Sequence, residues 1–200
     1  MLEYEIQLYN EGKNLICGVD EVGRGPLVGP VVTAAVILPK GYINTNIKDS
    51  KQLSEKKREE LYDEIMKNAI DVSIASCSEK IIDEINILEA TKKAMKQSIN
   101  NLRIKPHHVL IDAVKLDLDI PSTSIIKGDA KSQSIAAASI IAKVYRDNLM
   151  KEIDKEFPMY DFIHNKGYGT KKHIEALKKS GPTPYHRKTF APVSNILVKS

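Results

Sequence analysis

Apolar positions along the chain fall into runs of two periods. Residues 14–20 (NLICGVD) and 27–38 (LVGPVVTAAVIL) are short, β-branched stretches that read as strands joined by a glycine turn. After Ser54, a good helix N-cap, Leu61, Ile65, Met66 and Ala69 recur at helical spacing, and Lys67 near the end suits the helix dipole. A strand follows at 70–76. From Ser78, Ile81, Ile85, Leu88, Met95, Ile99 and Leu102 share one helical face, with Asn86 marking a break between two helices, and Pro106 closes the element. HVLIDAV at 108–114 and TSIIKGD at 123–129 are short enough to be strands. Residues 132–156 form the longest helix candidate: the small residues of SIAAASIIAKV allow close packing on a sheet, and DNLMKEIDKE is amphipathic. The loop NKGYGT leads to a last helix at about 171–179, stopped by Gly181 and Pro182. Strands alternating with helices after an opening hairpin predict an α/β architecture, and such sheets bind ligands outside their strand ends.

Two hundred residues suffice for one domain with a real core. Hydrophobic residues at 42% and charged residues at 28% are ordinary globular values, and no run approaches the roughly 18 apolar residues of a membrane span. The first residues lack a signal-peptide pattern, so a cytoplasmic protein without membrane association is expected. Cys17 and Cys77 have no His or Cys at metal spacing and read as small buried hydrophobes. A net charge of +4 is no general nucleic-acid coat. The charge is uneven, however: Lys166, Lys171, Lys172, Lys178, Lys179, Arg187 and Lys188 face one acid, Glu175, between 164 and 188. That stretch could supply phosphate contacts, although on its own it reads better as a solvated helix face.

Four acids change the picture. Asp20 and Glu21 follow CGV, Asp112 follows VLI, and Asp129 follows SIIKG, each belonging to or closing a run placed in the sheet. Two carboxylates about 4 Å apart repel by about 4 kcal/mol at an effective dielectric of 20, so four of them gather only around cations. Oxygen ligands without neighbouring imidazole or thiolate point to Mg²⁺ or Mn²⁺ rather than zinc. Taken singly, Asp129 reads equally as a cap of the long helix, Asp112 as a partner of Lys115, and Glu21 as a solvated strand end. Asp20 resists such a reading, because Val19 and Val22 flank the acid pair and glycines stand at 18 and 23. Directly after that pair, Gly23, Gly25 and Gly29 permit positive φ and close approach to a sugar or phosphate, and Arg24 is a candidate phosphate clamp.

GVDEVGRGPLVGPVV (18–32), DSKQLS (49–54), NILEAT (86–91), LIDA (110–113), GDAKSQSIAAASIIAKVYRD (128–147), KGYGT (166–170) and PYHRKTF (184–190) together resemble ribonuclease HII, the type 2 ribonuclease H of bacteria, over nearly the whole chain. The resemblance implies a ribonuclease H-like fold, a central mixed five-stranded sheet flanked by helices with a small C-terminal helical extension. It implies one catalytic domain over 1–200, with about 160–200 as its substrate-binding extension. Asp20, Glu21, Asp112 and Asp129 match the family's acidic residues; the first three would hold Mg²⁺ or Mn²⁺, and Asp129 would be a fourth ligand or would position metal and water. Gly23, Arg24 and Gly25 would contact the ribonucleotide 2'-hydroxyl through backbone groups, and Tyr168 would stack on the following deoxyribose. Lys51, Lys143 and Thr170 lie in matched blocks as phosphate contacts, Lys143 equally as a structural charge. His164, His173 and His186 are candidates for proton transfer but read as exposed polar surface, and none is assigned a role. The implied activity is two-metal hydrolysis of the RNA strand of RNA/DNA hybrids and incision 5' of single ribonucleotides in duplex DNA, leaving 5'-phosphate and 3'-hydroxyl ends. The implied partner is nucleic acid and the expected state a monomer. A nucleotidyltransferase or phosphatase is disfavoured by the lack of a P-loop or similar signature, and a pure RNA/DNA-binding module by four acids beside a polyanion.

Overall fold

A computed structural model describes residues 1–199; Ser200, the last residue of the expected domain, lies outside the described residues. In chain order the elements are α1 (Glu3–Asn10), β1 (Ile16–Val22), β2 (Val31–Ile37), α2 (Glu55–Asn68), β3 (Asp71–Cys77), α3 (Glu79–Ile85) and α4 (Ile87–Asn100). There follow β4 (His108–Asp112), β5 (Ser122–Ile125), α5 (Gly128–Lys131), α6 (Gln133–Glu156), α7 (Phe162–Asn165), α8 (Lys171–Ser180) and α9 (Val193–Lys199). The strands form one mixed sheet of order β3-β2-β1-β4-β5. The pairs β1–β2 and β2–β3 are antiparallel, and β1–β4 and β4–β5 are parallel.

Local chemistry explains most boundaries. Ser54 caps α2 by accepting from the Lys57 amide, and Ser78 caps α3 through Ile81. Asn86 takes φ +70°, a region Asn tolerates better than most residues, and its side chain accepts from Glu89 N, so one residue ends α3 and starts α4. The cap of α6 is Ser132, not Asp129. Glu5 supplements it from α1, accepting from Ser132 Oγ at 2.6 Å and Ser134 N at 3.0 Å.

Even-numbered β2 residues Val32, Ala34 and Val36 pack with Leu61 and Ile65 of α2 and the alanine-rich start of α6. On the opposite face Cys17, Val19, Ala35, Ile37, Val109 and Ile111 meet Met95 and Ile99 of α4. Gly18 is what lets α6 lie so close, since a Cβ there would overlap the backbone of Ser134 and Ile135. Both cysteines are free and buried, as expected. No helix among the described residues is long and apolar enough to cross a membrane.

Several expectations need correction. The 27–38 run is strand only from Val31, because Leu27 to Pro30 form a loop that pairs with the C-terminal segment, Leu27 N to Gly167 O and Gly29 N to Tyr185 O. The 123–129 run ends as strand at Ile125, and Asp129 lies in the short α5. Helix 171–179 is not the last, since α9 follows it. Met66 and Leu88, assigned to buried faces, are exposed.

Candidate metal centre and nucleic-acid interface

Register brings the first acids together. In the parallel pair β1–β4, Val19 lies beside Ile111, so one further step sets Asp20 next to Asp112 at the carboxyl ends of adjacent strands. One oxygen from each of Asp20, Glu21 and Asp112 lies within 4.8 Å of the others. Asp20 is 4% exposed, and its carboxylate accepts from Glu21 N at 2.7 Å. Asp112 accepts from Gly128 N at 2.6 Å, which ties the end of β4 to the start of α5. Ala113 (φ +52°) and Lys127 (φ +55°) hold left-handed backbone on either side of that tie, a cost of about 1–2 kcal/mol per residue. Such strain persists where the surrounding structure dictates it, commonly at functional sites.

Burial pushes the Asp20 carboxyl well above its usual range, and the neighbouring charges of Glu21 and Asp112 push it further. Glu21 is raised mainly by burial. Its Oε1 is 3.9 Å from Arg24 Nη1, whereas Oε2 is buried without a hydrogen-bond partner among the described residues. Three crowded carboxylates with an orphaned oxygen and no imidazole or thiolate in the group fit a hard divalent cation.

Asp129 stands outside this tight group but lines the same cavity of about 260 Å³, together with Val22, Ser50, Lys51, Ser139, Lys143 and Tyr168. Burial raises its pKa first, then the charges of Asp49 and Asp112, while Lys51 lowers it. Asp49 was not singled out in the sequence, although DSKQLS contains it; its side chain also accepts from Lys51 N. Lys143 is paired with Asp147 at 2.8 Å, one helical turn on. Thr170 is not part of the cavity lining, and its hydroxyl caps α8.

The glycine loop is built from its carbonyls. Arg187, fully buried, donates to Gly23 O, Arg24 O and Gly29 O. Arg146, equally buried, donates to Val28 O, Pro30 O and Lys166 O. Burial lowers the pKa of both, Arg146 to about 10 and Arg187 to about 9. Gly23 has φ +90°, and a Cβ on it would strike the Arg146 guanidinium. A Cβ on Gly25 would sit 3.3 Å from the Tyr168 ring, so loop and tyrosine are neighbours. Arg187 therefore leaves the list of phosphate contacts: it is part of the scaffold. His173 and His186 are buried rather than surface residues, while His164 is exposed and bonded to Asp161.

Acids at the ends of adjacent parallel strands in a mixed sheet, beside a glycine loop and a half-exposed tyrosine, form a site suited to holding a hard divalent cation next to a sugar-phosphate backbone. The model of the family described as ribonuclease HII matches residues 17–193, and this chain belongs to that family. Ribonuclease H2 of Pyrococcus horikoshii OT3 is similar with a TM-score of 0.80 and 28% identity, covering 92% of this chain and 98% of the other. Ribonuclease HII of Archaeoglobus fulgidus, solved in complex with PCNA, gives 0.75 and 28%, covering 90% and 96%. Bst-RNase HIII in complex with Mn²⁺ gives 0.73 at 18% identity, covering 94% and 70%, and shares the fold. The chain is thus a ribonuclease H with a ribonuclease H-like fold, an endonuclease acting on the RNA strand of RNA/DNA hybrids and dependent on divalent metal.

Proposed function

We propose that this enzyme also incises duplex DNA 5' of single embedded ribonucleotides, through hydrolysis with two divalent cations, Mg²⁺ or Mn²⁺, leaving 5'-phosphate and 3'-hydroxyl ends. The observation that carries this reading is the single cavity shared by Asp20, Glu21, Asp112, Asp129 and Tyr168, with Gly25 against the tyrosine ring. When bound, the cations supply the positive charge that acidifies an attacking water and stabilises the departing 3' oxygen.

Asp20, Glu21 and Asp112 would hold them, and Asp129 completes the set from α5. Lys51 and Lys143 face the scissile phosphate from the cavity wall, and Thr170 donates to phosphate from the start of α8. Gly23, Arg24 and Gly25 contact the 2'-hydroxyl through their backbone, which is where RNA differs from DNA at a given site. Tyr168 stacks on the deoxyribose that follows. The segment from about 160 onward serves as a substrate-binding extension of the single catalytic domain, and the enzyme works as a cytoplasmic monomer.

The deciding experiment is incubation with a duplex carrying one ribonucleotide, with and without Mg²⁺ or Mn²⁺, and mapping of the product ends. Metal-dependent cleavage on the 5' side of the ribonucleotide is expected. Cleavage confined to long hybrids, or binding without cleavage under every cation, would overturn the proposal.

A further inference from the structure

His173 and His186 lie in the C-terminal segment, 0% and 1% exposed, yet no step of the proposed reaction uses them. Their bonding allows one proton arrangement. His173 Nδ1 is 2.8 Å from the carbonyl oxygen of Tyr168, a pure acceptor, so Nδ1 carries the hydrogen. Burial lowers the pKa of both rings, His186 to about 3, which favours the neutral form of each. His173 Nε2 is then a bare lone pair and accepts from His186 Nε2 at 3.0 Å. That makes His186 Nδ1 an acceptor in turn, met by Thr183 N at 2.8 Å.

The chain of donors thus runs from Thr183 through both rings to the backbone of Tyr168. Tyr160 and Phe162 close around it, with ring centroids 6.0 and 5.2 Å from that of His173. The backbone at His186 also forms an antiparallel β-bridge with Val28 of the glycine loop. Tyr168 itself is half-exposed, and its ring abuts Gly25.

We infer that His173 and His186 are positioning residues, a tautomer-locked pair that holds Tyr168 against the Gly23–Gly25 loop and so sets the preference for a ribonucleotide followed by DNA. This rests on the proposed stacking role of Tyr168. A second proton on either ring would place two N–H donors head to head, so the lock exists only in the neutral pair.

The test has two arms. Nitrogen-15 NMR of the intact protein at neutral pH should show His173 protonated on Nδ1 only and His186 on Nε2 only; the opposite tautomers, or a charged ring, would overturn the inference without any variant. In the second arm, cleavage rates are compared on a single-ribonucleotide duplex and on a continuous hybrid. His173→Phe keeps an aromatic ring and removes the donor, and should lower the ratio of the two rates about two- to tenfold, the range of one lost hydrogen bond. Mn²⁺ affinity should be unchanged, and His173→Asn, whose amide nitrogen sits near the lost Nδ1, should restore most of the ratio. Tyr168→Ala is the reference: an unchanged ratio there sinks the stacking role itself. A reduced ratio in Tyr168→Ala beside a wild-type ratio in folded His173→Phe overturns the inference alone.

Discussion

Asp20→Asn should stabilise the metal-free protein while abolishing its activity. The oxygens of Asp20, Glu21 and Asp112 lie within 4.8 Å of one another. At that spacing two full charges repel by about 3.5 kcal/mol at an effective dielectric of 20. Burial and mutual repulsion already raise the carboxyl pKa values of Asp20 and Glu21, so part of this energy is relieved by a retained proton. A gain of about 1–2 kcal/mol remains for the variant, a rise in melting temperature of about 2–8 °C for a chain of this size. Asparagine keeps the acceptor that meets Glu21 N, and its new N–H₂ has the carboxylates of Glu21 and Asp112 beside it. With Mn²⁺ at a hundred times its Kd, wild type gains about 2.7 kcal/mol and the variant far less, so the order of melting temperatures reverses. Thermal denaturation in chelator and in Mn²⁺, beside a hybrid-cleavage assay, reads all three effects. A variant that melts below wild type in chelator refutes the electrostatic argument, and near-normal turnover refutes the metal role.

Two further outcomes follow from the scaffold. Arg187→Met removes the donors to Gly23 O, Arg24 O and Gly29 O but also a buried charge, so a net loss of about 1–3 kcal/mol is expected. Amide exchange should accelerate across residues 23–29 and KM for hybrid should rise at unchanged Mn²⁺ affinity; unaltered exchange would show that the loop stands without its clamp. Acid should weaken the fold through His186, whose pKa falls from 6.5 unfolded to about 3 folded, because the unfolded chain takes up the proton first. Its contribution is complete above pH 6.5 and declines as pH falls towards 3, by about 2 kcal/mol at pH 5. Urea denaturation at pH 7 and pH 5 measures this, and His186→Phe should flatten the dependence; a variant with the wild-type slope would refute it.

The strand and helix pattern was legible because it is a local signal. Runs of Val and Ile gave β1, β2 and β4, and Ser54, Ser78 and Asn86 announced their helices by cap chemistry. The acids at strand ends were legible because charge in an apolar run is costly and needs a reason. What stayed hidden depends on distant partners. Helix α1 buries only Glu5 and Leu8, and Glu5 is fixed by Ser132 and Ser134 far along the chain. Arg187 and the histidine pair resembled a basic, polar surface because composition cannot show that backbone carbonyls and aromatic rings surround them. Asp49 had no apolar run to make it conspicuous.

Those hidden residues explain how the acids and the sugar-facing loop keep a fixed relation. Gly23 lies three residues beyond Asp20 and immediately after the end of β1, so sheet and loop are joined by a continuous, pleated backbone. A loop of three glycines would otherwise sample many conformations, since each has access to both signs of φ. Here the guanidiniums of Arg146 and Arg187 fix five of its carbonyls, from Gly23, Arg24, Val28, Gly29 and Pro30. Arg146 comes from the helix against the sheet, and Arg187 from the same C-terminal segment whose histidines hold Tyr168. On the proposed reading, the distance from the recognised 2'-hydroxyl to the hydrolysed phosphate is therefore built into the scaffold. Loosening either arginine should then blur the position of cleavage as well as slow it.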